Sequence, residues 1–184
     1  SYIANYAVFG ENGNGVTSTA SNTPMGAYEA YLETDEGARF SSGSGNENHW
    51  SGYHTYLDEN TESKTDSYAV AYMRTFSKGN GFISLDITTA AIQEVLANID
   101  NGEGSYVALF TPDHRVLTME DGSLVTTDLF EGSDVEERAL AAEETGNSYV
   151  NFNGKSYLLS VSPIGTTGMT VASIVPKATI LSAA

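Results

Sequence analysis

Short runs of apolar residues, alternating or continuous and punctuated by glycine-rich turns, dominate this chain. Residues 2–9 (YIANYAVF) are rich in strand formers, ENGNG supplies glycines able to take positive φ, and VTSTA resumes extended structure. Together they predict a hairpin. Thr23 before Pro24 has the form of an N-cap with proline at the first helical position, and predicts two short helical turns over residues 25–32, ahead of Gly37. Residues 41–48 (SSGSGNEN) read as a loop, and residues 50–58 (WSGYHTYLD) fit a short helix or a structured loop equally. Residues 67–76 (SYAVAYMRTF) and 82–87 (FISLDI), separated by SKGNG, predict two antiparallel strands. In residues 88–100 (TTAAIQEVLANID), Ile92, Val95, Leu96 and Ile99 recur at helical spacing behind capping threonines and before Gly102, which predicts a helix.

The second half repeats the theme. Residues 106–110 and 116–119 flank a Pro112-Asp113-His114-Arg115 turn, residues 135–145 predict a helix, and residues 148–152, 155–162 and 169–175 predict three more strands, the first two joined by Asn153-Gly154. Each half runs hairpin, helical connection, then strands that pair back. That order predicts an α+β fold of two lobes joined by the 88–100 helix, rather than alternating β-α units on a parallel sheet.

Composition narrows the possible functions. The 184 residues carry 24 acidic and 8 basic side chains, a formal charge of −16, with 40% apolar residues and no cysteine. Such a surplus of acid repels phosphate backbones and anionic lipid head groups, which disfavours nucleic acid as a partner. Without a thiol there is no disulfide, iron–sulfur cluster or cysteine-ligated zinc. No stretch approaches the roughly 20 apolar residues of a spanning helix, and SYIANYAVF lacks the basic start and apolar centre of a signal peptide.

Catalytic signatures are scarce. Gly154-Lys155-Ser156 has the end of a phosphate loop, but Tyr149 stands where the first glycine is required. No G-x-S-x-G occurs. His49 and His54 are five apart, on different faces of a helix, and His114 sits in a distant turn, so we expect surface histidines, no metal site and no cofactor. The acidic stretch 58–66 (DENTESKTD) lacks the ligand spacing and central glycine of a calcium loop and reads as a solvated loop. Nothing selects a carboxylate pair for glycoside hydrolysis.

One constellation stands out: Trp50, Tyr53, Asp66, Tyr68, Tyr72, Arg74 and Asp86. Strand alternation puts Tyr68, Val70, Tyr72 and Arg74 on one face of the first strand and Phe82, Ser84 and Asp86 on one face of the next, with apolar residues on the reverse. We expect the apolar face to pack on a helix and the mixed face to open to a small molecule, with contact to water as the plain alternative. An aromatic box with one carboxylate suits an ammonium group, and Arg74 can fork onto a carboxylate. An ion pair between Arg74 and Asp86 is the competing reading.

The order of these segments resembles the double Cache family, the tandem PAS-like extracytoplasmic sensor domains of bacterial chemoreceptors, histidine kinases and diguanylate cyclases. The resemblance is carried by Trp50 with its nearby tyrosines, by SYAVAYMRTF-SKGNG-FISLDIT, by GSYVALFTPDHRVL, and by NGKSYLLSVSPIGTTGMTVASIVPKATIL. It implies a membrane-distal ligand-binding lobe over residues 1–87, a connecting helix over 88–101 and a membrane-proximal lobe over 102–184. It also implies a non-catalytic domain on the extracytoplasmic side of the bacterial membrane, tethered through segments outside this chain, with pairing to a second copy open. Asp86 matches the aspartate that accepts a ligand ammonium in amino-acid-binding members, and Trp50 matches their aromatic wall. Asn48 and Ser51 stand where those members have arginine and tyrosine, so amines, amino acids, small organic acids, purines and sugars stay open as ligands. The family's long N-terminal helix has no counterpart in residues 1–184, and we expect part of the first sheet's apolar face to be uncovered or covered by a neighbour. The competing class is a secreted glycan-binding or adhesive module using Trp50, Tyr53 and Tyr56.

Overall fold

The computed structural model describes residues 1–10, 15–18, 26–41, 48–61, 65–77, 81–99 and 101–182. The chain divides into two compact units, Ser1–Ala91 and Ile92–Ala184. Each is built on one antiparallel sheet, an α+β arrangement as the segment order predicts.

In the first unit the strands are β1 (Ile3–Phe9), β2 (Gly15–Thr17), β3 (Asn48–Ser51), β4 (Tyr68–Thr75) and β5 (Phe82–Thr88), in the order β2-β1-β5-β4-β3. Three short helices accompany them: α1 (Ala27–Leu32), α2 (Asp35–Ser41) and α3 (Thr55–Thr61). Both expected hairpin partnerships form, β1 with β2 and β4 with β5. The Thr23-Pro24 cap lies outside the described residues. Gly37 does not end a helix but sits inside α2, where a Cβ would stand 1.9 Å from the Tyr31 carbonyl oxygen of α1. Residues 50–58 resolve into part of β3 and the start of α3. The stretch 58–66 is not simply a solvated loop, because Asp58 and Thr61 are buried on α3.

Two β-bulges decide what this sheet presents. On β4, Tyr68 pairs with Thr88 while Val70 pairs with Ile87, so Ala69 is an extra residue. On β1, Ile3 pairs with Ile87 while Asn5 pairs with Asp86, so Ala4 is extra. Residues opposed across antiparallel strands share a face, and one inserted residue switches it. Asn5, Asp86 and Ala71 therefore lie on one side, joined there by Ser84, Met73, Phe82 and Phe9. The core of the first unit forms on this side. Phe9, Tyr28, Tyr31 and Phe82 pack with ring centroids 5.0–6.4 Å apart, with Met73 and Leu57 buried in the same cluster. The reverse side carries Tyr6, Val8, Val16, Ile83 and Leu85; Tyr6 and Val16 are exposed and the others half-buried.

α4 (Thr89–Ala97) begins with Thr88 Oγ1 accepting from the Ala91 N–H, and Gln93 ties it to the second sheet through bonds to Gly122 O and Leu124 N. That sheet comprises β6 (Tyr106–Phe110), β7 (Val116–Glu120), β8 (Ser123–Thr126), β9 (Gly146–Phe152), β10 (Lys155–Pro163) and β11 (Thr170–Pro176), in the order β8-β7-β6-β11-β10-β9. Asn153 and Gly154 both take positive φ (49° and 74°), the backbone demanded by a two-residue turn between β9 and β10. α5 (Asp134–Ala141) has a reciprocal cap: the Ser133 hydroxyl accepts from Glu136 N–H, and Glu136 Oε2 accepts from Gly132 N–H. α5 buries Val135 and Ala139 against the sheet beside Phe130 and Phe152. The last described element is α6 (Lys177–Ser182). No helix among the described residues is long and apolar enough to cross a membrane.

Candidate functional site

A polar network lies between the first sheet and its helices, centred on His54. The imidazole is 1% exposed, which overturns the expectation of a surface histidine. Its Nδ1 bonds Glu36 Oε1 of α2, and its Nε2 lies 3.3 Å from Asp86 Oδ1 and 3.2 Å from Ser84 Oγ of β5. Asp86 Oδ2 accepts from Asn5 Nδ2 at 3.0 Å, and the Tyr31 hydroxyl donates to Glu36 Oε1 at 3.0 Å. The His54 backbone N–H donates to the Tyr68 hydroxyl at 2.9 Å, and that hydroxyl donates to Asp58 Oδ2 at 2.7 Å. One connected set of bonds thus joins β1, β4 and β5 to α1, α2 and α3.

The electrostatics follow from enclosure. Burial alone would lower the His54 pKa, but the bonds to Asp86 and Glu36 outweigh it and push it up to about 9. At neutral pH the ring is an imidazolium with both nitrogens donating. Burial raises the Asp58 carboxyl, against the opposing effect of the Tyr68 bond, and burial holds the Tyr68 phenol protonated. Asp58 Oδ1 is buried with no hydrogen-bond partner. Among the described residues, three carboxyl groups, Glu36, Asp58 and Asp86, lie around one cation, and Asp58 Oδ1 is the acceptor still to satisfy. Chemically it suits a hydrogen-bond donor or a second positive charge. Among the described residues no group of three or more His, Asp or Glu side chains is placed to hold a metal ion.

Six of the seven residues singled out from sequence divide between the two sides of the sheet, and Asp66 lies on neither. Asp86 and Tyr68 lie in the network, and Tyr53 packs edge-on against Tyr68 with ring centroids 5.3 Å apart. Trp50, Tyr72 and Arg74 lie on the reverse side: Tyr72 opposes Leu85, Arg74 opposes Ile83, and the Trp50 and Tyr72 rings pack as cross-strand partners at 5.1 Å. The reading that put Tyr72 and Arg74 on the face of Asp86 is therefore corrected. The Ala69 bulge reverses the alternation, bringing Tyr68 to Asp86 and turning Tyr72 and Arg74 away. An Arg74–Asp86 ion pair is correspondingly not formed. Asp66 is exposed in the 3-10 turn Thr65–Ser67, where its carbonyl accepts from Thr89 Oγ1 at 3.5 Å. Sequence reasoning missed Glu36, His54 and Asp58. Neither EGARF nor HTYLDEN carries a pattern that marks these polar residues as buried.

No family model matches the chain, and no curated protein matches it. Solved structures do. One domain described as the extracellular part of a histidine kinase, rpHK1S-Z16, superposes with a TM-score of 0.63 at 13% identity, over 98% of this chain and 73% of its own. The ligand-binding domain of the Mlp24 protein, solved with asparagine, gives 0.58 at 11% identity over 98% and 71%. That of the Pseudomonas aeruginosa amino acid chemoreceptor PctB, in complex with L-Arg, gives 0.55 at 14% identity over 97% and 73%. Over nearly its whole length, this chain shares its α+β fold with these extracellular and ligand-binding domains of histidine kinases and chemoreceptors.

Proposed function

We propose that this chain is the extracytoplasmic sensing domain of a bacterial transmembrane receptor, binding a small amine-bearing molecule in its first unit. Residues 1–87 form the membrane-distal ligand lobe, 88–101 the connecting helix and 102–184 the membrane-proximal lobe, with the tether outside this chain. The reading rests chiefly on the buried network of Glu36, His54, Asp58 and Asp86, whose unpartnered Asp58 Oδ1 calls for a donor. The neighbours PctB, Mlp24 and the Pseudomonas aeruginosa PctC domain, solved with L-Arg, asparagine and GABA, support the same ligand class. The charge of −16 favours cations at long range. Asp58, Asp86, Tyr68 and Tyr53 are the residues assigned to the ligand; Trp50, Tyr72 and Arg74 shape the reverse side of the sheet. The domain is non-catalytic and works by shifting populations, since a ligand moves an equilibrium only by its differential affinity for two states.

Thermal-shift measurements on the chain test this directly. Saturating primary amines, amino acids or GABA should raise the melting temperature by mass action, and Asp58→Asn and Asp86→Asn should each weaken that response. If only oligosaccharides raise it, the chain is instead an adhesive module. Organic acids or purines raising it alone would overturn the amine assignment.

A further inference from the structure

We propose a second small-molecule site, wholly within the second unit, that takes a compact uncharged carbonyl compound such as a lactam or cyclic ketone. A cavity of about 340 Å³ lies between the C-terminal end of α4 and the adjoining face of β6 and β7. Leu96, Ile99, Val107 and Met119 line it, together with the connection that carries Asn101 and Ser105. The space matches roughly ten water-sized groups, which sets the ligand's bulk.

Two features fix its chemistry. Among the described residues no charged side chain lines the cavity, so a charged ligand would find no counter-ion there. The Asn101 side-chain Nδ2, by contrast, is a buried donor with no hydrogen-bond partner. Leaving such a donor unmade is costly, and a carbonyl oxygen entering the cavity satisfies it. Ser105 Oγ donates to the Asn101 backbone carbonyl at 2.8 Å, which fixes the turn that presents the amide. The apolar body of the ligand then rests against Leu96, Ile99 and Val107, with the flexible Met119 side chain adapting to its outline.

The location gives the site a consequence. The connection from Asn101 to Ser105 also touches the exit helix: Thr179 Oγ1 of α6 donates to Glu103 O at 3.2 Å, and a Cβ on Gly102 would meet Thr179 Cγ2 at 3.3 Å. An occupant that stiffens this connection bears on α6 through direct contacts. The amine site of the first unit is not involved, so the two proposals stand or fall separately.

The test is a titration of the 184-residue chain with ε-caprolactam, followed by NMR of the methionine methyls and Asn side-chain amides. The Met119 methyl and the Asn101 amide should move saturably, with a Kd of about millimolar, while Met73 in the first unit stays still. Asn101→Ala should weaken binding about tenfold, the loss of one hydrogen bond. Val107→Phe should abolish binding by filling the cavity; if that variant does not fold, as judged by its Met73 and Met169 signals, Val107→Leu should weaken binding instead. Cyclohexanecarboxylate and cyclohexylammonium, of similar bulk but charged, should leave Met119 unmoved. The proposal is overturned if Met119 does not respond to ε-caprolactam, if the charged rings move it equally, or if Asn101→Ala binds as the wild type does.

Discussion

His54 and Asp86 face each other across the helix–sheet boundary of the first unit, imidazole Nε2 to carboxylate Oδ1 at 3.3 Å, and each is gripped from its far side, His54 by Glu36 and Asp86 by Asn5. Charge enclosed in this way stabilises only while every partner is present. Removal of one partner leaves its neighbour buried and uncompensated, at a cost of about 3–5 kcal/mol.

The pairing makes stability depend on alkaline pH. The His54 pKa stands at about 9 in the folded chain, above its ordinary 6.5. Its contribution is therefore complete below about pH 6.5 and disappears as pH rises through about 9, a span worth about 3 kcal/mol. Melting temperatures measured from about pH 7 to about pH 10 should fall more steeply for the wild type than for His54→Gln, whose amide does not titrate. Parallel curves would show that the ring is not held by the carboxylates.

Asp86→Asn removes one of the two groups that raise the His54 pKa. An NMR titration of the His54 ring should then show its pKa lowered by at least about one pH unit, with burial now opposed by Glu36 alone.

Tyr68→Phe deletes a hydroxyl that accepts from the His54 N–H and donates to Asp58. Two buried polar groups lose a partner, and unfolding by urea should report a loss of about 2 kcal/mol or more. A loss under about 0.5 kcal/mol would mean that solvent reaches both groups.

Gly37→Ala places a methyl 1.9 Å from the Tyr31 carbonyl oxygen and 2.6 Å from its carbon. α1 and α2 must separate, at a cost of about 1–3 kcal/mol, and the movement draws the adjacent Glu36 away from His54. Lower stability together with a lower His54 pKa is the expected result; a drop in stability alone would uncouple the helix contact from the network.

In the second unit, Ser133→Ala removes the N-cap of α5 and should cost about 1 kcal/mol of stability, with no effect on the His54 titration.

Much of this architecture was legible along the chain. Ile92, Val95 and Leu96 mark α4, which stops at Ala97 short of Ile99, and Asn153-Gly154 marks the β9–β10 turn because its backbone tolerates few other pairs. Asp86 was identifiable as a residue of interest, and it lies buried among the partners of His54. What alternation could not reveal is the extra Ala69, since a strand pattern has no mark for a residue that pairs with nothing; Tyr72 and Arg74 were misplaced for that reason. His54 was misread for another. Its partners come from residues 36, 84 and 86, and a histidine declares itself buried only when distant segments meet around it.

The Ala69 bulge bears on how relatives should be compared. A protein with the same letters but one residue fewer in this strand would point its aromatic outward and leave the interior carboxylates without a phenol. Aligning identities across the segment is therefore unsafe, and the position of a single gap decides which tyrosine is equivalent to which.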